Sequence, residues 1–228
     1  ASDVTAATLS STLNGAMTIN SISYSYTSFE NTSLTGSGAG NDALTIDNGL
    51  SVSMSSATAG QLATSATSFS GFESLTGIGS NTLNAGALSV NLTSATNGQL
   101  AASTNFTSFE SLTGTGAFTA ANLTAINLSD SSTGVLTGGG TTSISGFANM
   151  TLTGSGGNDT LTVSNATGLE VSLSGTGAGS VGGSTTTFTS FETLSGSGSG
   201  DTLTSSVDAT FNLNGTAGSG TVLGTTFN

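Results

Sequence analysis

The chain has 228 residues, no Lys, Arg, His, Cys, Pro or Trp, and 12 acids that give a formal charge of −12. Nothing in it can neutralise a phosphate, so nucleic acid is excluded as a partner, and zero cysteine excludes disulfides and thiol chemistry. With 34% hydrophobic and only 5% charged residues it does not read as a solvated disordered tail, even with 34 glycines.

From the N-terminus, Leu13-Asn14-Gly15-Ala16-Met17 leads to Tyr26, the first anchor of a recurring motif. The motif is aromatic-x-x-Phe-Glu followed by Leu-Thr-Gly. Its copies are Tyr26/Phe29/Glu30, Phe69/Phe72/Glu73, Phe106/Phe109/Glu110, Ile144/Phe147/Ala148 and Phe188/Phe191/Glu192. They lead into Leu34-Thr35-Gly36, Leu75-Thr76-Gly77, Leu112-Thr113-Gly114, Leu152-Thr153-Gly154 and Leu194-Ser195-Gly196. Steps of 43, 37, 38 and 44 residues separate the second anchors, and a tolerant period near forty is the mark of a solenoid.

Between the motifs, apolar and small polar residues alternate. Examples are Leu50/Val52/Met54, Leu88/Val90/Leu92, Leu169/Val171/Leu173 and Ala209/Phe211/Leu213. Period two puts one apolar face on a strand, no helical period is sustained, and the chain is expected to be all-β. The fourth repeat reads as four short strands at 151–153, 160–163, 169–173 and around Val181. That makes about two coils of about twenty residues per repeat and a right-handed parallel β-helix of about eleven coils. The handedness rests on coil length and irregular loops. Phe29 and Phe147 stand five residues before the next Leu, whereas Phe72, Phe109 and Phe191 stand three before it. A two-residue insertion preserves the strand face, and the odd spacing implies a corner.

Residues 1–228 are thus expected to form a single continuous solenoid of about five repeats. It begins mid-repeat and stops at Thr225-Thr226-Phe227, the counterpart of Thr186-Thr187-Phe188. Uncapped coils expose unpaired backbone groups, so the expected partners are a second copy stacked head to tail, or neighbouring repeats of a longer chain. No membrane-length apolar run is present.

Two glycine-rich turns carry the candidate metal residues, Asn41 and Asp42 in residues 37–44, and Asn158 and Asp159 in residues 154–161. They resemble the nonapeptides of the calcium-binding repeats-in-toxin family, which implies Ca²⁺ held by turn carboxylates and carbonyls. A structural turn is the competing reading. No other cofactor is expected. The motif glutamates read as a solvated outward stripe. Pairs such as Thr151/Thr153, Thr160/Thr162 and Thr202/Thr204 resemble the ladders of ice-binding solenoids. Triplets at Asn91, Asn149 and Asn214 fit the glycosylation pattern, as chance predicts in so Ser/Thr-rich a chain. Without basic or thiol side chains, only scattered carboxylates, hydroxyls and two tyrosines remain for acid–base work, and no enzyme is expected.

The run from Phe-Glu through Leu-Thr-Gly to Gly-Asn-Asp-x-Leu-Thr resembles the repeats of very large bacterial surface and secreted proteins, similar to filamentous-haemagglutinin-like adhesins. The resemblance covers essentially the whole chain. It implies export to the cell surface or medium and a role in a surface fibre, adhesin or biofilm matrix, with cell-surface or matrix components as further partners.

Overall fold

The computed structural model describes residues 4–37, 40–47, 49–164, 168–183, 186–215 and 218–228, and every regular element among them is a β-strand. Two compact units are present: residues 1–91 with 96–116, and residues 92–95 with 117–228. The unit boundary falls inside the strand Val90–Ser94.

The first unit opens on a three-stranded antiparallel meander, Val4–Leu9, Gly15–Ile19 and Ile22–Tyr26. Two single strands follow, Ser33–Thr35 and Ala43–Ile46. A second meander comes next, Ser51–Ser56, Ala59–Leu62 and Ser68–Ser70. The singles Ser74–Gly77 and Thr82–Asn84 repeat the scheme, followed by the antiparallel pair Asn97–Leu100 and Thr104–Thr107 and the single Ser111–Thr113. One sheet places Thr104–Thr107, Ser74–Gly77, Ala43–Ile46 and Val4–Leu9 side by side in parallel. The other does the same with Ser111–Thr113, Thr82–Asn84 and Ser51–Ser56.

The second unit is built alike. Its meanders are Ala125–Asp130, Thr133–Thr137 and Thr141–Ser145; Glu170–Gly175, Ala178–Val181 and Thr186–Thr189; and Phe211–Leu213, Gly220–Val222 and Thr225–Phe227. The singles Ala117–Leu123, Asn149–Gly154, Thr160–Val163, Thr193–Gly196 and Thr202–Ser205 join them through parallel pairs.

The expected all-β solenoid is therefore present, with about six turns counted over both units and parallel bridges between turns. The wiring is richer than a plain coil. Each meander folds its last strand beside the preceding single, as Thr104–Thr107 lies on Ser74–Gly77, and its first beside the following one, as Ser51–Ser56 lies on Thr82–Asn84. Three of the five strands in a repeat belong to a meander, which is why turns are fewer than coil length implied. The chain also changes sheet three times per repeat. That number is odd, so successive meanders fall in opposite sheets: Gly15–Ile19 in one, Ala59–Leu62 in the other.

Inward files of apolar side chains hold each unit. Ala7, Leu44, Leu75 and Phe106 stack in one sheet of the first unit, and Val52, Leu83 and Leu112 in the other. In the second unit Ala120, Leu152 and Phe188 form one file, and Ile126, Leu161 and Leu194 another. All of these are buried, each worth about 1.5–3 kcal/mol for the larger side chains.

The middle strand of each meander carries the weakest periodicity: one is expected around Val181 and found at Ala178–Val181, whereas Ala59–Leu62 lies where none is expected. Glycine is depleted in strands, so it reads as a corner. Here Gly60, Gly98, Gly134, Gly179 and Gly220 stand opposite Phe69, Phe106, Ile144, Phe188 and Phe227. A Cβ on Gly60 would come within 2.8 Å of the Phe69 ring, and one on Gly179 within 2.9 Å of the Phe188 ring. The large side chain covers the bare glycine backbone, a pairing that also pins strand register.

Candidate functional site

The aromatic motif builds a corner. Its first ring ends a meander, and the third residue of each copy adopts a left-handed backbone: Ser28, Gly71, Ser108, Gly146 and Ser190, with φ from 58° to 84°. The second ring then turns back onto the first edge-on. Centroids stand 6.3 Å apart for Phe69/Phe72 and Phe106/Phe109, and 6.2 Å for Phe188/Phe191, the favoured geometry for aromatic pairs. Where Ile144 replaces the first ring, Phe118 meets Phe147 instead at 4.7 Å. The Gly that closes Leu-Thr-Gly receives the next corner. A Cβ on Gly36, Gly77 or Gly154 would collide with the backbone oxygen of Gly71, Ser108 or Ser190 respectively. The two halves of the motif are therefore coupled across turns by a close backbone approach.

Beside each corner lies a polar clamp. Asp42 and Asp159 are each only 2% exposed, in a protein with no basic side chain to pair them. Hydrogen-bond donors meet the charge instead. The N–H and hydroxyl of Ser37 donate to Oδ2 of Asp42 at 2.6 and 2.7 Å. The hydroxyl of Ser155 donates to Oδ1 of Asp159 at 2.8 Å, and the Gly156 N–H to its Oδ2 at 3.0 Å. Buried carboxylates are tolerated when so satisfied. Asn81 fills the same slot as an amide. Its Nδ2 donates to the carbonyls of Ile46 and Ile78, and its Oδ1 accepts the Leu50 N–H at 3.1 Å. Asp201 Oδ1 likewise accepts the Leu169 N–H at 3.0 Å.

The glutamates are not a free stripe. Glu73, Glu110 and Glu192 each accept through Oε2 the backbone N–H of the slot residue one turn away: Asp42 at 3.1 Å, Asn81 at 2.9 Å and Asp159 at 2.9 Å. In sequence, the copy with Ala148 in place of Glu also has Gly116 in place of the slot residue. The clamp is absent there as a pair of residues.

Of the four candidate calcium residues, Asp42 and Asp159 are buried acceptors of the turn's own donors, while Asn41 and Asn158 are exposed. Each Asp sits with one Glu, and no three acids converge among the described residues. A cation at either turn would have to displace N–H and O–H donors from these oxygens. Gly38 and Ala39 of the first turn lie outside the described residues.

Thr8, Thr45, Thr76 and Thr107 form one in-register file in the first unit. Thr151 and Thr153 face Thr187 and Thr189 in the second, with Oγ1 atoms 3.4 and 3.3 Å apart. Asn91, Asn149 and Asn214 are all exposed, while Thr216 of the last triplet lies outside the described residues. Tyr26 has its phenol pushed above the ordinary value by burial, and its hydroxyl has no hydrogen-bond partner. It lines a cavity of about 270 Å³ with Val4, Met17, Phe29 and Leu34. No helix among the described residues is long and apolar enough to cross a membrane.

Both units end on open strand edges. In the first, the sheets finish at Ile22–Tyr26 and Ser33–Thr35, where Ile22, Tyr24 and Phe29 are exposed. In the second they finish at Thr202–Ser205 and Phe211–Leu213, where Val207, Phe211 and Leu213 are exposed. The period-two pattern located strands such as Phe211–Leu213, but not that they are edges, because each lies at an edge only by virtue of the meander wiring.

Comparison with family models, curated proteins and solved structures returned no match.

Proposed function

We propose that this chain is a non-catalytic structural element of a bacterial surface fibre, adhesin or biofilm-matrix filament, working outside the cell and assembling by stacking solenoid on solenoid. The observation that carries the reading is the open edges, with six large apolar side chains exposed on or beside them: Ile22, Tyr24, Phe29, Val207, Phe211 and Leu213. Unpaired edges of this kind recruit further strands. The repeat-equivalent wiring supports it too, because every turn presents the edge that the next one uses. A lack of basic and thiol side chains supports a role without chemistry. Electron microscopy and sedimentation of the purified chain test the reading. Filaments or end-joined oligomers are expected, favoured by salt because like-charged copies repel and screening shortens that repulsion to about 10 Å at 0.1 M. Strictly monomeric behaviour at all concentrations and salts would sink it.

Two other readings have an observation each. Two buried carboxylates with no basic side chain to pair them, Asp42 and Asp159, favour a calcium-binding stalk in which the cation replaces the turn's own donors. Calorimetry should then show a chelator lowering the melting temperature. The paired files at Thr151/Thr153 and Thr187/Thr189 support an ice-binding face, for which thermal hysteresis is the measurement. Unchanged melting and normal ice growth respectively would remove them.

A further inference from the structure

The turns are joined by a rule that leaves two strands without their partner. In the interior, a strand preceded by the slot residue always pairs in parallel with the strand of the next Leu-Thr-Gly motif, Leu on Leu. Leu44 faces Leu75, Leu83 faces Leu112 and Leu161 faces Leu194. Thr202–Ser205 is a strand of the first kind, led by Asp201, and it pairs only with Glu170–Gly175 before its sheet ends. Ser33–Thr35 is a strand of the second kind; among the described residues its three residues pair only with Ser68–Ser70, and Gly36 just beyond them bridges Val4. What each lacks is what the other offers.

The polar clamp leaves the same remainder. Glu73, Glu110 and Glu192 hold the N–H of Asp42, Asn81 and Asp159. Among the described residues, Glu30 is the one motif glutamate without a hydrogen bond, and Asp201 is the one acidic slot residue whose N–H no glutamate holds. Core burial agrees. Leu44, Leu83 and Leu161 are at most 1% exposed, whereas Leu203, in the corresponding place, is only half-buried. It lines a cavity of about 130 Å³ with Leu161, Val171, Leu194 and Phe227.

We propose that the Thr202–Ser205 edge pairs in parallel with the Ser33–Thr35 edge of a second copy, with Thr202 opposite Ser33, Leu203 opposite Leu34 and Thr204 opposite Thr35. This rests on the stacking reading and gives it a register. Glu30 then stands near Asp201 on the partner copy, two residues further from its Leu than Glu73 is, with strand face preserved. The same joint brings together the remaining open edges, which carry Phe211 and Leu213 on one copy and Ile22 and Tyr24 on the other. With no cation in the chain, the joint is made of backbone hydrogen bonds and apolar side chains rather than ion pairs.

Because the chain has no cysteine, disulfide trapping reads the register directly. The double variant Ser33→Cys/Thr202→Cys changes two exposed side chains and sets the sulfurs on directly opposed residues, about 4.8 Å apart along the sheet. Mild oxidation should give a ladder of disulfide-linked oligomers on a non-reducing gel. The offset variant Thr35→Cys/Thr202→Cys displaces the Cα atoms to about 8 Å, beyond disulfide reach, and should give at least about tenfold less. A third variant, Leu203→Glu, should abolish oligomers while its circular dichroism stays that of the wild type. Equal trapping of both pairs, or oligomers that survive Leu203→Glu in a folded chain, overturns this register and leaves self-assembly standing. A chain that remains monomeric throughout overturns both, and leaves further residues of the same polypeptide as the occupant of these edges.

Discussion

The first unit contains the same corner in two settings, and they end differently. At Phe69/Phe72 the rings meet edge-on at 6.3 Å and 73°, and Phe72 is fully buried. At Tyr26/Phe29 the rings meet at 5.9 Å and 87°, yet Phe29 is 57% exposed. The local geometry is shared because the left-handed residue between the rings, Gly71 in one and Ser28 in the other, sets it. Burial is not shared, since it needs a neighbouring turn over the corner. A repeat protein thus carries its folding instructions in every copy and its association surface only where a copy lacks a neighbour.

Truncating the rings breaks that comparison most sharply. Phe72→Ala should cost about 3–5 kcal/mol by denaturant unfolding, whereas Phe29→Ala should stay within about 0.5 kcal/mol in the monomer. Similar losses at both would mean that the open corner is already covered. Next in size is the polar clamp beside the buried corner. Asp42→Ala removes the acceptor of two hydrogen bonds from the Ser37 N–H and hydroxyl, and should cost about 1–3 kcal/mol. Glu30→Ala at the open corner should leave monomer stability unchanged, which thermal melting of the two variants checks. The contact between turns comes third. Gly154→Ala forces a Cβ onto the Ser190 carbonyl oxygen, and should cost about 1–3 kcal/mol by overpacking. Gly157→Ala, where a Cβ meets nothing, serves as its control.

The smallest effect concerns a turn remote from any corner. Asp130 is partly buried. Its slight burial raises the carboxyl pKa, but hydrogen bonds from the Ser132 N–H and hydroxyl, at 2.7 and 2.8 Å, outweigh that and leave it below the ordinary value. A carboxylate with a depressed folded-state pKa contributes stability above its unfolded value, and that contribution is lost as pH falls through the folded one. Asp130→Asn should therefore melt slightly below the wild type at pH 7, with the gap closing in acid. A gap that widened in acid would contradict the assignment.

Much of this architecture was legible in the chain itself. Alternation in Leu50/Val52/Met54 or Leu169/Val171/Leu173 identified strands, because a period of two leaves no other way to bury one face. The spacing between Phe and Leu announced a corner, since an odd interval cannot keep both on one face of a straight strand. Gly60 and Gly179 misled, because their role depends on Phe69 and Phe188, each nine residues later, and propensity sees only neighbours. The glutamates misled for a similar reason. Glu192 is exposed, as its position in sequence suggests, and Glu73 only half-buried, but what they hold, the N–H groups of Asp42 and Asp159, comes from the turn before.

The sequence by itself determined that this protein is a β-solenoid without basic, thiol or imidazole chemistry, because composition and period two are local properties of the chain. Only the tertiary structure decided which residues the acids hold, which sheet each meander joins and which strands are left open. Those depend on contacts between residues 29 or more positions apart. Such contacts are set by how many times the chain crosses between sheets before it returns, and no window of sequence contains that number.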